Sequence, residues 1–140
     1  MTATIHPIVV VGVAGSDASR LAVRWADHYA AETGGTLRLV TVWEHPPEYT
    51  GTAAVRYAFD LSKAAGDVTE NARQDVTAPA ERLQVRVIEG SPRLALTGAA
   101  ADADLLVVGS KGHSGVETLL LGSVSAYCVD HSTVPVVVVR

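Results

Sequence analysis

The chain has 140 residues, of which 48% are hydrophobic and 19% charged, and its formal net charge is −4. This length predicts a single domain over residues 1–140 with its own core, and the hydrophobic content excludes a disordered chain. The acidic balance, without any basic stripe, argues against a nucleic-acid partner. Cys128 is the only cysteine, so no internal disulfide can form. Apolar runs too short to span a membrane, and an N-terminus without a charged leader, predict a cytoplasmic protein with no membrane partner.

The first part of the chain predicts a strand, a helix and a second strand. Residues 8–13 form a continuous apolar run, which is typical of a parallel strand covered on both faces. Ser16 is the predicted N-cap of the helix that follows, and the glycine pair that begins at Gly34 ends it. Residues 36–43 are rich in Leu, Val and Thr and form the second predicted strand.

Two aromatic side chains, Trp25 and Tyr29, recur at helical spacing on the first predicted helix. They share its apolar stripe with Leu21, and a second stripe of alanines runs beside them. We interpret the two aromatic residues as core anchors rather than ligand contacts.

The remaining elements continue the alternation of helices and strands. The second helix has so few apolar positions that we expect it to be largely exposed, and the clean alternation of the third strand predicts a less buried face at or near a sheet edge. The predicted elements are a helix over about 54–77, a strand over 83–87, a helix from Pro92 to about Ala101, a strand over 105–108, a helix from Ser123 to about His131 and a strand over 135–139.

This alternation predicts an α/β fold, Rossmann-like, in which an open five-stranded parallel sheet carries helices on both faces. Ligands of such sheets bind beyond the C-terminal ends of the strands, where the strand order reverses. The first and fourth strands usually flank that point, and in this sequence both are followed by Gly and Ser. We therefore expect a binding site at the ends of these two strands.

The segment between residues 109 and 124 carries the clearest chemical signal. Gly109, Gly112 and Gly122 let the backbone approach a ligand without Cβ clashes. Gly122 and Ser123 lie at a predicted helix N-terminus, where free N–H groups and the helix dipole favour an anion such as phosphate. The residues alone leave a phosphate site and a plain loop with a capped helix equally open. The spacing excludes a P-loop, a dinucleotide fingerprint and a nucleophile elbow.

The pattern Gly109-x2-Gly112-x9-Gly122-Ser123 resembles the nucleotide-binding signature of the universal stress protein family. Residues 9–16, 105–110 and 135–139 are also similar to that family, in the same order along the chain. The resemblance implies the strand order 3-2-1-4-5. It also implies the ATP-binding subclass, whose ligand is an adenine nucleotide, ATP or AMP.

The resemblance further implies a role for each residue that matches the family pattern. We add three more candidate site residues because of their position in the same loop. Lys111 and His113 would bring positive charge near phosphate, and Ser110 would offer a hydroxyl donor. No catalytic or metal-ligating residue is predicted. The resemblance places Val42 against adenine, Val108 and Gly109 at the ribose, Gly112, Gly122, Ser123 and Val124 at the phosphates, and Gly12 and Val13 on the opposite wall.

Ala14 departs from the family pattern, because members commonly carry an Asp two residues before the serine that is here Ser16. In the family this Asp faces the nucleotide and helps to hold a metal or a polar group, which a methyl group cannot do. Asp17 is expected in the first helical turn, where it points elsewhere. We therefore expect altered nucleotide and Mg²⁺ binding, with the phosphate-binding backbone intact.

The last predicted strand, Pro135–Val139, is apolar on both faces, although the implied strand order places it at a sheet edge. An exposed apolar edge invites pairing with another chain, and members of the family often dimerise through this strand. The sequence thus predicts a homodimer that pairs around these residues.

Three classes of function follow from the sequence. The first is a dimeric stress-response module that binds an adenine nucleotide and signals through partners. The second is a slow ATPase, although His113 and Glu117 are the only nearby candidates for a general base. The third is a scaffold that binds no nucleotide, for which Ala14 argues mildly and the Gly/Ser signature argues against.

Overall fold

A computed structural model of the chain describes residues 6–45, 50–111 and 121–140. Five strands form one parallel sheet in the order β3-β2-β1-β4-β5, which confirms the predicted α/β fold and strand order. No helix in these parts of the chain is long and apolar enough to cross a lipid bilayer. The strands are β1 (Ile8–Gly12), β2 (Thr36–Trp43), β3 (Leu83–Glu89), β4 (Leu105–Gly109) and β5 (Val136–Val139), and the helices are α1 (Asp17–Thr33), α2 (Gly51–Asp75), α3 (Pro92–Ala99) and α4 (Ser123–His131).

The predicted helix ends agree with the structure where a capping residue marks them. The Ser16 hydroxyl accepts a hydrogen bond from the Ser19 amide at 3.2 Å, and Gly34 ends α1 with a φ of 69°. The start of α2 has no such signal, because its N-cap Thr50 makes no side-chain capping bond within the described chain, and the helix begins three residues earlier than predicted. A short 3-10 helix, Ala80–Arg82, precedes β3 and has no counterpart among the predicted elements.

Two apolar layers form the core, one on each face of the sheet. Val9 and Val11 of β1 point into the layer under α1 and α2, whereas Val10 between them points into the layer under α3 and α4. All three side chains are fully buried. Burial on both faces explains the uninterrupted apolar run in the sequence.

Helix α1 packs on the sheet through its alanine stripe, so the prediction that Trp25 anchors the core is wrong. Ala22, Ala26 and Ala30 are buried, while the Trp25 side chain stays 37% exposed. Trp25 stacks on Tyr29 with ring centroids 5.3 Å apart, and Tyr29 is the partly buried member of the pair. Small alanine side chains let a helix lie close to a sheet. The stripe with Trp25 and Tyr29 therefore lies at the side of the interface between α1 and the sheet.

The two edge strands differ in how well they are covered. Strand β3 lies at one edge, as predicted, but the structure exposes residues on both of its faces rather than one. Strand β5 lies at the other edge, where all four of its residues are half-buried. The exposed Val85 and Val87 show that α2 covers β3 incompletely.

A buried arginine lies in the layer under α3, on the strand next to the β3 edge. Arg38 of β2 is 2% exposed, and its guanidinium donates to the Ala99 carbonyl at 2.8 Å and to the Gln84 side chain at 2.7 Å. It also donates to both carboxylate oxygens of Asp102, at 2.7 and 3.3 Å. Every one of these acceptors matters, because a buried charge without partners is strongly unfavourable.

The Arg38–Asp102 pair predicts an acid-sensitive contribution to stability. The hydrogen bond and the charge of Arg38 lower the pKa of Asp102 below its ordinary value of 3.8. Because the folded state has the lower pKa, the pair stabilises the fold above the unfolded pKa, and this contribution is lost as the pH falls through the folded pKa. Urea titrations should show that Asp102→Asn has a lower free energy of unfolding than the wild type near neutral pH. The difference between the two proteins should disappear in acid. A gap that stays constant down to acidic pH would contradict the prediction.

Candidate functional site

A cavity of about 220 Å³ opens at the C-terminal ends of β1 and β4, where the sheet order reverses. The ends of β1, β2 and β4 form its floor, and the first turns of α3 and α4 form its sides. Ten of the predicted site residues line this one cavity: Gly12, Val13, Ala14, Val42, Val108, Gly109, Lys111, Gly122, Ser123 and Val124.

Ser110 is the predicted site residue that the structure describes away from the cavity wall. It is 6% exposed, and its amide donates to the Val139 carbonyl at 2.8 Å. Its carbonyl accepts the Gly122 amide at 2.6 Å and the Ser125 hydroxyl at 3.1 Å. Ser110 thus ties the ends of β4 and β5 to the start of α4. The predicted residues Gly112 and His113, and the candidate base Glu117, lie outside the described residues.

Sequence reasoning misses several residues of the cavity wall. Ser125 belongs to the last helix, and Ser16 and Ser19 belong to the start of α1, where the sequence predicts Ser16 only as a cap. The sequence of a helix start does not reveal which side chains face the C-terminal ends of the strands. The sequence therefore offers no signal for these residues. The apolar members that it misses are Val40, Pro92 and Leu96.

Two of the glycines in the cavity wall pack closely, Gly109 against backbone and Gly12 against a side chain. A Cβ at Gly109 would lie 2.8 Å from the backbone carbon and oxygen of Ala18, in the first turn of α1. A Cβ at Gly12 would lie 3.3 Å from the neighbouring Leu96 side chain. The absence of a side chain at Gly109 therefore allows α1 to start directly above the end of β4.

The cavity combines apolar walls with one positively polarised end. Val42, Val108 and Leu96 contribute apolar surface. Helix α4 begins at the cavity with Gly122 as its N-cap, and no side-chain bond caps it among the described atoms. The amides of its first turn and the helix dipole favour an anion there. Lys111, which carries a positive charge, also lines the cavity.

Ala14 contributes a methyl group, not a carboxylate, to the rim of the cavity. Its amide donates to the Ser19 hydroxyl at 2.8 Å, and that hydroxyl contacts the Gly12 carbonyl at 3.4 Å. The Asp17 side chain is fully exposed and lies 3.9 Å from Arg20, so it points away from the cavity as predicted. The residues described here contain no cluster of His, Cys, Asp or Glu suited to a metal ion.

Comparison with known proteins assigns the family. The model of the universal stress protein family matches residues 7–140. The chain belongs to the universal stress protein family. A universal stress protein of Mycobacterium tuberculosis is 34% identical over 144 residues, which cover 96% of this chain and 97% of that protein.

Universal stress proteins of known structure share the fold. UspA from Lactobacillus plantarum has a TM-score of 0.84 and is 25% identical over 96% of this chain and 98% of that one. A universal stress protein crystallised in complex with cAMP has a TM-score of 0.62 and is 37% identical over 96% of each chain. The chain spans only 46% of the first curated relatives it matches, which include a second protein of Mycobacterium tuberculosis.

Proposed function

We propose that this universal stress protein binds an adenine nucleotide in the cavity at the ends of β1 and β4. The observation that carries the proposal is the convergence of the Gly109 and Gly122-Ser123 backbone with the end of β2 around one cavity. In this arrangement the base lies against Val42 and the phosphates lie at the start of α4. The 37% identical relative in complex with cAMP supports an adenine nucleotide as the ligand.

The chemistry of the cavity suits such a ligand. Adenine is a flat apolar ring system, and Val42, Val108 and Leu96 give it apolar contact. Phosphate groups prefer the amide-rich N-terminus of a helix, which the start of α4 supplies beside Lys111. Backbone donors allow a chain with a net charge of −4 to bind an anion without a basic surface.

Calorimetric titration with AMP, cAMP and ATP tests the proposal. We expect Ser123→Glu to lower the affinity by about tenfold or more, because it places a negative charge at the phosphate position. The same substitution leaves the fold intact, since a carboxylate is favourable at a helix N-terminus. Gln74→Glu, on the exposed surface of α2, adds the same charge away from the cavity and should bind like the wild type. Equal affinity of the wild type and Ser123→Glu would contradict this placement of the phosphates.

Ala14→Asp should make ATP binding depend more strongly on Mg²⁺. A carboxylate at the rim of the cavity would repel the phosphates without metal and would supply an oxygen ligand when Mg²⁺ is present. We expect a change of roughly threefold to tenfold in the ratio of the affinities with and without Mg²⁺. Ala14→Asn is the uncharged control of similar shape and should change this ratio little. An unchanged ratio in Ala14→Asp would show that position 14 does not face the phosphates.

We further propose that the protein acts in the cytoplasm as a homodimer that pairs through β5. The strand lies at the edge of the sheet, and its apolar residues Val136–Val139 are only half-buried in one chain. Light scattering at micromolar concentration should give twice the 14.6 kDa mass of the chain. A monomer under these conditions would contradict this part of the proposal.

Incubation with ATP, together with the same titrations, separates the alternative functions. Release of inorganic phosphate from bound ATP would favour a slow ATPase. No affinity for any of the three nucleotides would favour a scaffold that acts through protein partners, as the loss of the family's Asp at Ala14 suggests.

A further inference from the structure

A second cavity of about 200 Å³ lies between α1 and α2, next to the candidate nucleotide site. The two cavities share Val13 and Ser19 in their walls, but the second one opens on the other face of the sheet. Apart from Gly15, its remaining wall comes from one stripe on each helix. The stripe of α1 contains Arg20, Val23 and Arg24, and that of α2 contains Val68, Asn71, Ala72 and Asp75.

The wall of this cavity is divided into an apolar part and a polar part. Val13, Val23, Val68 and Ala72 are apolar and belong to or pack against the core. Arg20 and Arg24, one turn apart on exposed positions of α1, supply the polar part together with Asn71 and Asp75. A ligand for such a surface has an apolar body and a charged end.

The charges favour a negative ligand. No carboxylate of the described residues lies within ion-pair distance of the Arg24 guanidinium. Arg20 has only a loose contact with the fully exposed Asp17, at 3.9 Å. Two arginines against the single carboxylate of Asp75 leave the cavity with a positive balance, although the chain as a whole carries −4. Arginine pairs well with carboxylates and phosphates because its planar donors form two parallel hydrogen bonds.

A buried carboxylate outside the cavity wall holds the two helices together. Asp27 follows Arg24 by one turn of α1 and is 8% exposed. It accepts the amides of Thr77 at 3.0 Å and of Ala78 at 3.2 Å, just after α2 ends. These bonds tie the end of α2 to α1, so the space between the two helices exists before a ligand arrives.

We propose that this second cavity binds a small aromatic anion, with its ring on the valine and alanine surface and its oxyanion at Arg20 and Arg24. The volume is suitable for one ring, since an apolar protein cavity of about 150 Å³ accepts benzene. The Asn71 amide adds a further donor for the anion, and Asp75 opposes it. This inference does not depend on nucleotide binding, because none of its charged groups lines the first cavity.

Methyl and amide NMR spectra of the labelled protein test the proposal. Benzoate and phenyl phosphate serve as the anionic ligands, and benzyl alcohol serves as the uncharged control. We expect saturable shifts at Val23, Val68 and Ala72 with both anions and much weaker ones with benzyl alcohol. The comparison of benzoate with phenyl phosphate shows which oxyanion is preferred.

Charge variants make the test sharper, because two of them should act in opposite directions. Arg24→Gln should weaken benzoate binding by roughly tenfold, whereas Asp75→Asn should strengthen it by a few-fold. Arg93→Gln, at an exposed position of α3 away from the cavity, is the matched control and should bind like the wild type. All three positions are exposed, so the variants are expected to fold.

Three results would overturn the proposal. They are benzyl alcohol binding as tightly as benzoate, Arg24→Gln binding like the wild type, and shifts confined to Val42 and Val108 of the first cavity. Nucleotide binding is detected at those last two residues, so its failure and the failure of this proposal are distinguishable in the same spectra.

Discussion

Replacing Asp27 with alanine is expected to lower the free energy of unfolding by about 3 kcal/mol. The Asp27 carboxylate is 8% exposed and accepts the amides of Thr77 and Ala78 together with the Thr77 hydroxyl, at 3.0 to 3.2 Å. Alanine removes this acceptor and leaves two backbone donors without their partner. Such donors are unfavourable away from water, and each charge-assisted bond contributes more than a neutral one.

Urea denaturation of matched variants measures this effect. Asp27→Asn keeps one acceptor oxygen, so its free energy of unfolding is expected to lie between those of the wild type and Asp27→Ala. Asp67→Ala is the control, because this exposed carboxylate makes only a surface pair with Lys63 at 3.8 Å. Surface pairs of this kind contribute about 0–1 kcal/mol. If Asp27→Ala is no less stable than Asp67→Ala, the segment after α2 does not depend on the carboxylate.

The sequence predicts those parts of the fold whose cause is local. Ser16 and Gly34 bound α1 because a hydroxyl cap and a left-handed glycine act on their own neighbours in the chain. The apolar run of β1 is also visible in the sequence, because a strand covered on both faces has apolar residues at successive positions. The strand order depends on distant pairings, and it is implied by the family resemblance, not by periodicity.

Features that depend on which surfaces meet are not predictable from the sequence. The alanine stripe and the Leu21–Trp25–Tyr29 stripe of α1 have the same spacing, and only the sheet decides that the alanines face inward. Arg38 gives no sign of burial, because its partners Ala99 and Asp102 are far away in the sequence.

The candidate site shows the same division. Gly109 and Gly122 are predictable because a glycine and a helix start carry their own signal at the end of a strand. Leu96 is missed because its contribution depends on how α3 lies across the strand ends. The second cavity is also missed, since neither Arg20 nor Asn71 carries a motif and the fold alone brings them together.

Substitution of Gly109 by alanine is expected to destabilise the fold by about 2 kcal/mol, while the same change at Gly66 stabilises it. The Cβ added at Gly109 would lie 2.8 Å from the backbone carbon and oxygen of Ala18, which cannot move without shifting the first turn of α1. Overpacking of this kind typically costs about 1–3 kcal/mol. Gly66 lies inside α2 with nothing within 4 Å of its added Cβ, so alanine there gains about 0.5–1 kcal/mol from helix propensity.

The same Gly→Ala substitution is expected to change the stability in opposite directions at the two positions. A general effect of adding a methyl group therefore cannot explain the result. Thermal and urea unfolding of both variants measure the difference, which should approach about 3 kcal/mol when the two expected effects are added. Gly109→Ala should also weaken nucleotide binding, because Ser16 and Ser19 line the cavity from the same turn of α1 that must move. A Gly109→Ala protein as stable as the wild type would mean that α1 can retreat from β4, and the cavity between them would then be adjustable rather than fixed by the fold.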